Sequence, residues 1–178
     1  MLKDFKPALF ILIRFLGIYI VLVFVYQTYL NAYEGQITDP VTRWIAEQPS
    51  FIQTQCGYKT TLVDSEQYSG TLFQIGNVYT SRMVEGCNAI SVIILFLAFI
   101  FAFYKGGKTF VFAGVGVLIL HLMNILRIAA INIVAIELSA EDFKIAHDYF
   151  FPAIIYGTIV VLWLVWIKFF VLKRDENH

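Results

Sequence analysis

The sequence has few charged residues and few cysteines for its length. Thirteen lysines and arginines are balanced by 13 aspartates and glutamates, so the formal net charge is zero. No basic stripe is present that would neutralise phosphates, so a nucleic-acid partner is not expected. The two cysteines, Cys56 and Cys87, form no CxxC pair and no zinc-like spacing. We therefore expect no metal site and no cofactor, whereas spacing alone leaves a disulfide between them open.

Apolar residues make up 59% of the chain, and the mean hydropathy is +0.72. Soluble domains average about 45–50% apolar and about 25% charged residues. A helix needs about 20 mostly apolar residues to cross the bilayer core. The sequence therefore predicts an all-α membrane protein, with residues 1–178 as a single integral membrane domain. Its four transmembrane helices are expected at about 7–30, 88–104, 109–136 and 147–172.

Residues 31–86 form the one extended polar segment. Within it, Asp39 and Pro40 predict a helix start, with Asp39 as the N-cap and Pro40 at the first position. Pro49 is expected to stop this helix or restart it. The apolar residues at helical spacing predict a short amphipathic helix, either on the membrane surface or packed on the domain. They are Val41, Trp44 and Ile45.

Two further stretches of the polar segment favour short strands. Lys59–Val63 and Thr71–Val84 are rich in Thr, Val, Tyr, Ile and Phe. Ser69-Gly70 and Gly76-Asn77 punctuate them with turn-forming residues. The pattern predicts short strands or a hairpin within the polar segment.

The distribution of basic residues predicts the orientation of the chain. With four spans, most lysines and arginines that flank them fall on one side, which the positive-inside rule assigns to the cytoplasm. They are Lys3, Lys6, Lys105, Lys108, Lys173 and Arg174. The expected location is the cytoplasmic (inner) membrane, with both termini in the cytoplasm. Residues 31–86 and an acidic loop at Glu137–Ala146 then face outward.

Cys87 lies where the polar segment meets the second apolar run. This position is the outer end of the second predicted span and the N-terminus of its helix. The positive end of a helix dipole favours a thiolate, which is the nucleophilic form of cysteine. Position alone leaves a nucleophile and a structural cysteine equally open.

Arg127 lies inside the third predicted span, two to three turns from its outer end. An arginine within a span costs about 2.5–3.5 kcal/mol on insertion scales, and such residues usually face the bundle interior. Asn124 is three residues earlier, on a neighbouring part of the same helix face. We expect Asn124 to hold the guanidinium in place, although outward snorkelling of Arg127 is the alternative.

His147 opens the fourth predicted span, again at the outer side. At a helix N-terminus a neutral imidazole is favoured, and a neutral histidine can take a proton from a thiol. The alternative is an interfacial histidine without a role. His121 lies deeper and is expected to be packed or hydrogen-bonded, and His178 is in the tail on the opposite side.

These residues resemble one known family. Glu85-Gly86-Cys87-Asn88-Ala89 resembles the E-x-C-S-G motif of the exosortase/archaeosortase family, and Asn124-Ile125-Leu126-Arg127 resembles its N-x-x-R motif. His147 falls where that family has its histidine. The similarity covers roughly residues 79–157 and is closest to the compact exosortase F type. Asn88-Ala89 departs from the usual Ser-Gly, and many members have about eight spans rather than four.

The resemblance implies a membrane cysteine transpeptidase. Its expected partners are membrane lipids, exported proteins that carry a C-terminal motif, helix and basic tail, and an unknown lipid or glycan acceptor. The substrate would be cleaved near the motif at the extracytoplasmic face and passed to a new anchor. The implied catalytic residues are Cys87, Arg127 and His147, with Asn124 and Glu85 in support.

Three other classes of function remain open at this point. One is a non-enzymatic membrane assembly factor, in which Cys87→Ser would be tolerated. Another is a small transporter or channel subunit that uses Arg127 to bind an anion, although no internal repeat favours it. The third is a thiol oxidoreductase, which requires Cys56 and Cys87 within bridging distance.

Overall fold

The computed structural model describes residues 2–67 and 70–172. Lys173, Arg174 and His178 of the tail, and Ser69 of the predicted turn, lie outside them. The helices are α1 (Leu2–Asn31), α2 (Pro40–Gln55), α3 (Ile90–Ala102), α4 (Gly107–Glu137), α5 (Ala140–Ile145) and α6 (Phe151–Trp166). The strands are β1 (Thr60–Ser65), β2 (Gly70–Ile75) and β3 (Val78–Met83). A 3-10 turn at Glu85–Cys87 precedes α3, and π-helical turns at Ala146–Phe150 and Ile167–Val171 continue α5 and α6.

The prediction of an all-α membrane protein with four spans is confirmed only in its coarser part, because the described chain is mostly helical but also contains a small sheet. Three helices in the described chain are long and apolar enough to span a bilayer. They are Lys6–Asn31, Gly107–Glu137 and Glu141–Val171. The protein is therefore a multi-pass membrane protein. Helix α3 has 13 residues, fewer than the predicted span at 88–104. At 1.5 Å per residue it is about 20 Å long, whereas the bilayer core is about 30 Å thick.

The chain forms two compact units. The first contains α1, α3, α4 up to Leu120, and α6 from Gly157 onward. Its interior is an apolar cluster contributed by α3, α4 and α6. The fully or almost fully buried members are Phe96, Ile100, Ala113, Leu120, Ile159, Leu162 and Trp166. Most of α1 is exposed and apolar, as a lipid-facing helix requires.

The second unit contains residues 32–89 and 121–156. Its antiparallel sheet has the order β1-β2-β3 and confirms the predicted strands. The turn at Gly76-Asn77 separates β2 from β3, as the sequence suggests. Helix α2 packs on this sheet, and residues from α2, the sheet and α4 form the core. These are Ile45, Ala46, Phe73, Met83 and Ile128.

Helix α2 begins as predicted but ends later than predicted. The carboxylate of Asp39 accepts from the backbone N–H groups of Val41 and Thr42, at 3.1 and 3.0 Å, and Pro40 is the first helical residue. The expectation that Pro49 stops or restarts the helix is wrong, because the helix continues to Gln55. Pro49 is buried in the unit, and Gln53 is anchored to the carbonyl of Ala129 at 3.0 Å. These tertiary contacts outweigh the local preference of proline for a helix end.

The prediction of an acidic loop at Glu137–Ala146 is also wrong. Glu137 ends α4, and a new helix begins at Ala140. The Ser139 hydroxyl caps α5 by accepting from the backbone N–H of Asp142 at 3.2 Å. Glu141 and Asp142 lie in the first turn, where carboxylates are stabilised by the helix dipole. The acidic residues therefore start a helix, and His147 lies seven residues inside it rather than at its N-terminus.

Candidate active site

A cavity of about 570 Å³ in the second unit brings together the three residues singled out from the sequence. Cys87, Arg127 and His147 all line it. One wall comes from β3 and the segment after it, the second from α4, and the third from α5 and the start of α6. The other lining residues are Phe73, Thr80, Ser81, Arg82, Met83, Val84, Ile128, Ile131, Phe143, Phe151 and Pro152.

Cys87 is the last residue of the 3-10 turn, and its backbone N–H donates to the carbonyl of Val84 at 2.8 Å. Cys87 is half-buried and lies three residues before α3 begins. We expected it at the N-terminus of that helix, whereas it precedes the first turn. Asn88 is buried and donates to the hydroxyl of Thr42 at 2.8 Å. Ala89 has a φ of 61°, a left-handed conformation in which glycine has no Cβ penalty. The E-x-C-S-G motif has glycine at the position of Ala89, and the left-handed backbone at this position favours glycine.

Arg127 and Asn124 both bind the backbone of Cys87. The Nη2 of Arg127 donates to the Cys87 carbonyl oxygen at 3.2 Å, and the Nδ2 of Asn124 donates to the same oxygen at 3.1 Å. We expected Asn124 to hold the guanidinium, whereas the two side chains share one acceptor instead. Asn124 is fully buried and Arg127 is half-buried. Together they fix the position of Cys87 relative to α4.

Arg127 keeps hydrogen-bonding capacity beyond this contact. Its Nε is buried and has no hydrogen-bond partner among the described residues. A guanidinium carries five N–H donors in a fixed plane, so a single bond to the Cys87 carbonyl leaves others available. Arg127 also lines the cavity that Cys87 lines.

His147 lies in the π-helical turn that continues α5. Its Nδ1 is 2.9 Å from the carboxylate Oδ1 of Asp148. A carboxylate accepts the Nδ1–H, which leaves Nε2 as the proton acceptor of the ring. π-helical turns occur frequently at functional sites. The sequence reasoning missed Asp148, although a carboxylate directly next to a candidate base was the available signal.

The remaining candidates lie away from this arrangement. Glu85 is exposed on the 3-10 turn and has no hydrogen bond to any described side chain. His121 is hydrogen-bonded to Gln48 at 3.0 Å and stacks on Trp44, as expected of a packed histidine. Cys56 follows α2, is exposed, and, like Cys87, is a free cysteine. The disulfide that the oxidoreductase alternative would require between these two cysteines is therefore not formed in this structure.

The fold and this cavity define a multi-pass membrane protein with a cysteine, an arginine and a histidine around one site. A family model described as transmembrane exosortase (Exosortase_EpsH) matches residues 6–169. The chain belongs to the transmembrane exosortase family, as the sequence motifs suggest. This family consists generally of cysteine transpeptidases that process sorting signals. No curated protein and no solved structure matches the chain significantly.

Proposed function

We propose that the protein is a membrane cysteine transpeptidase that cleaves the C-terminal sorting signals of exported proteins and transfers them to a new anchor. The observation that carries this proposal is the shared cavity of Cys87, Arg127 and His147. A nucleophile, a base and a cationic hydrogen-bond donor around one space are the groups that acyl transfer requires. Family membership supports the same reaction class.

The first half of the reaction forms an acyl-enzyme. His147 takes the proton of the Cys87 thiol at Nε2, and the thiolate attacks a peptide carbonyl of the substrate. The peptide C–N bond then breaks, and the proton on His147 passes to the leaving amine. The substrate's new C-terminus is held as a thioester on Cys87.

The second half transfers the substrate to its anchor. An acceptor hydroxyl or amine loses its proton to His147 and attacks the thioester carbonyl. The C–S bond breaks, and the Cys87 sulfur takes back the proton from His147. The products are the substrate joined to the acceptor and the enzyme in its starting state.

Arg127 has two roles in this scheme. One of its Nη atoms holds the carbonyl of Cys87, so that the thiol is fixed beside the cavity. Its remaining donors stabilise the oxyanion that forms at the substrate carbonyl. Asn124 assists the first role by donating to the same Cys87 carbonyl.

The cavity also supports a four-span topology. Cys87 precedes α3 and His147 follows α4, and both line one cavity. We place this cavity on a single side of the membrane. An even number of crossings must therefore separate these two residues. Because α4 is long enough to cross, α3 with its flanking residues supplies the second crossing. The basic connection Lys105–Lys108 is then cytoplasmic, both termini are cytoplasmic, and the site faces outward.

The test is cleavage of a tagged exported protein with a C-terminal motif, helix and basic tail, expressed in the same membranes. Cys87→Ala is expected to abolish its conversion to the shorter form. Cys56→Ala is the matched control, since Cys56 is exposed and outside the cavity, and it should process normally. Unchanged processing by Cys87→Ala would rule out the nucleophile. Normal processing by Cys87→Ser would favour a non-enzymatic assembly factor.

A further inference from the structure

The sheet of the second unit has two edge strands, and only one of them borders the candidate active site. In the order β1-β2-β3, strand β2 is paired on both sides, whereas β1 and β3 each have one edge without a strand neighbour in the described sheet. The backbone of Thr60, the first residue of β1, is bonded by side chains of α2: Ser50 donates to the Thr60 carbonyl, and Thr54 accepts from the Thr60 N–H. Strand β3 lies along the cavity instead.

The pattern of lining residues indicates that the cavity follows the edge of β3. Five consecutive residues, Thr80 to Val84, line it, and Cys87 follows three residues later. Thr80 is the extra residue of a bulge, so Thr80 and Ser81 need not alternate. Beyond the bulge, successive side chains of a strand point to opposite faces of the sheet. Because Arg82 and Met83 both line the cavity, together with Phe73 of β2, the cavity covers one face of the sheet and reaches the outer edge of β3. Such an edge presents rows of N–H and C=O groups.

The edge is held in place from α4 and shaped by a bulge. The hydroxyls of Thr80 and Ser81 both donate to Oδ1 of Asn132, which is fully buried. The pairing between β2 and β3 shifts register at Phe73/Gln74, and the Thr80 hydroxyl oxygen also lies 3.2 Å from the Phe73 carbonyl oxygen. Bulges increase local twist and are common next to active sites, where they end or redirect pairing. Side-chain anchoring therefore fixes β3 while its outer edge stays beside the cavity.

We propose that the substrate polypeptide binds in extended form along β3 as a fourth strand, which brings its scissile carbonyl to Cys87. This inference rests on the proposed function, because the occupant is the peptide that the transpeptidase cleaves. A cavity bounded by an edge strand on one side and a helix on the other is the geometry in which peptides bind by strand addition. Here α5 and its continuation form the helical wall, with Phe143 and His147.

Strand addition also explains how one enzyme acts on different proteins. Backbone hydrogen bonds supply affinity without reading side chains, and alternate side chains supply specificity. The peptide segment next to the scissile bond must therefore be extended and free of proline at the positions that bond to β3. The substrate's transmembrane helix begins beyond this segment.

Disulfide cross-linking tests the proposal. Single cysteines are introduced at Thr80, Ser81, Arg82 and Val84 in a Cys56→Ala/Cys87→Ala chain, which cannot turn over. The probe is the tagged exported protein with motif, helix and basic tail, carrying single cysteines at successive positions before its helix. Matched controls are cysteines at Thr61, Leu62 and Val63 on β1, the other edge strand. Cleavage of the same probe by the Cys56→Ala chain, which keeps Cys87, is measured in parallel.

We expect a ladder of cross-links on β3, in which a shift of one residue on the strand shifts the preferred partner by one residue on the probe. The yield from β1 should be at least about tenfold lower, a difference of about 1.4 kcal/mol in an equilibrium yield. Cleavage without a ladder of cross-links, or equal cross-linking yields from both strands, would overturn strand addition. Neither result would contradict the proposed transpeptidase function. No Cys87-dependent cleavage would contradict the proposed function, and the inference would fall with it.

Discussion

The carbonyl oxygen of Cys87 accepts hydrogen bonds from Asn124 and Arg127, two residues one turn apart on α4. An arginine inside an apolar helix is costly, so its presence there needs a compensating role. Its hydrogen bond to the Cys87 carbonyl is one such role. Binding of a substrate group in the cavity that Arg127 lines is the other role that we propose. At the residue scale, the proposed reaction gives Arg127 two tasks, because it binds the backbone of Cys87 and also lines the cavity.

Arg127→Lys is expected to lower the rate of substrate cleavage by about tenfold to a hundredfold. Hydrogen bonds to charged groups contribute about 1.5–3 kcal/mol, and an ammonium cannot hold the Cys87 carbonyl and an oxyanion in one plane. Pulse-chase processing of the tagged substrate measures the rate. Arg43→Lys is the control, since Arg43 pairs with Asp64 outside the cavity and a normal rate is expected of it. Equal rates for both variants would contradict the role assigned to Arg127.

Asp148→Asn is expected to slow cleavage by at least about tenfold while the amount of protein in the membrane stays unchanged. An asparagine amide can donate to Nδ1 and shift the proton to Nε2, which leaves His147 in the wrong tautomer to act as base. Asp142→Asn, another exposed acid of the same helical segment, is the control. A normal rate for Asp148→Asn would show that the carboxylate has no part in positioning His147.

At the scale of helices and strands, the sequence correctly predicted the features that depend only on neighbouring residues. Asp39 and Pro40 marked the start of α2 because a cap and an N-terminal proline need no distant partner. The sequence failed where distant packing or an ambiguous composition decides. Pro49 stays within α2 because the helix is anchored to α4, and the acids around Asp142 begin a helix although they are typical of a loop as well.

Two glycines of α4, Gly114 and Gly116, allow the packing of α3 against α4 to be tested. A Cβ at Gly116 would lie 2.1 Å from the Phe96 ring, which is fully buried and cannot move aside, whereas a Cβ at Gly114 meets nothing within 4 Å. Gly116→Ala should destabilise the protein by about 1–3 kcal/mol through overpacking. Gly114→Ala should stabilise it slightly, because alanine favours a helix over glycine by up to about 1 kcal/mol.

Thermal unfolding of the two variants in detergent measures the difference. The transition temperature should fall for Gly116→Ala and stay level or rise for Gly114→Ala. A result in the opposite order would show that α3 and α4 do not pack through this contact.

At the scale of the whole molecule, the sequence predicted which residues meet but not how they are held. Apolar runs and flanking charges gave the membrane helices and placed Cys87, Arg127 and His147 on one side. The shared cavity agrees with that reasoning, although the roles of the three residues stay a prediction. The edge of β3 was not foreseen, because a strand edge depends on pairing between distant segments. Asp148 was missed although it lies next to His147 in the sequence.

Labelling of single cysteines tests the four-span topology. A membrane-impermeant maleimide should label Cys56 of a Cys87→Ala chain in intact spheroplasts, because the proposed topology places the segment before α3 outside. Lys105→Cys in a chain lacking Cys56 and Cys87 should react only after permeabilisation, because the proposed topology has α3 cross the membrane. Labelling of both positions from outside would show that α3 does not cross, and the topology proposed from the cavity would be wrong.

The central claim is that Cys87 carries the substrate as a thioester, and hydroxylamine tests it most directly. Hydroxylamine attacks a thioester in place of the natural acceptor and leaves a hydroxamate at the C-terminus of the released fragment. Mass spectrometry of the tagged fragment from membranes treated with hydroxylamine identifies that end group. A hydroxamate is expected with the natural enzyme and with Cys56→Ala, and none with Cys87→Ala. A fragment that forms without Cys87, or one that never carries the hydroxamate, would contradict the central claim.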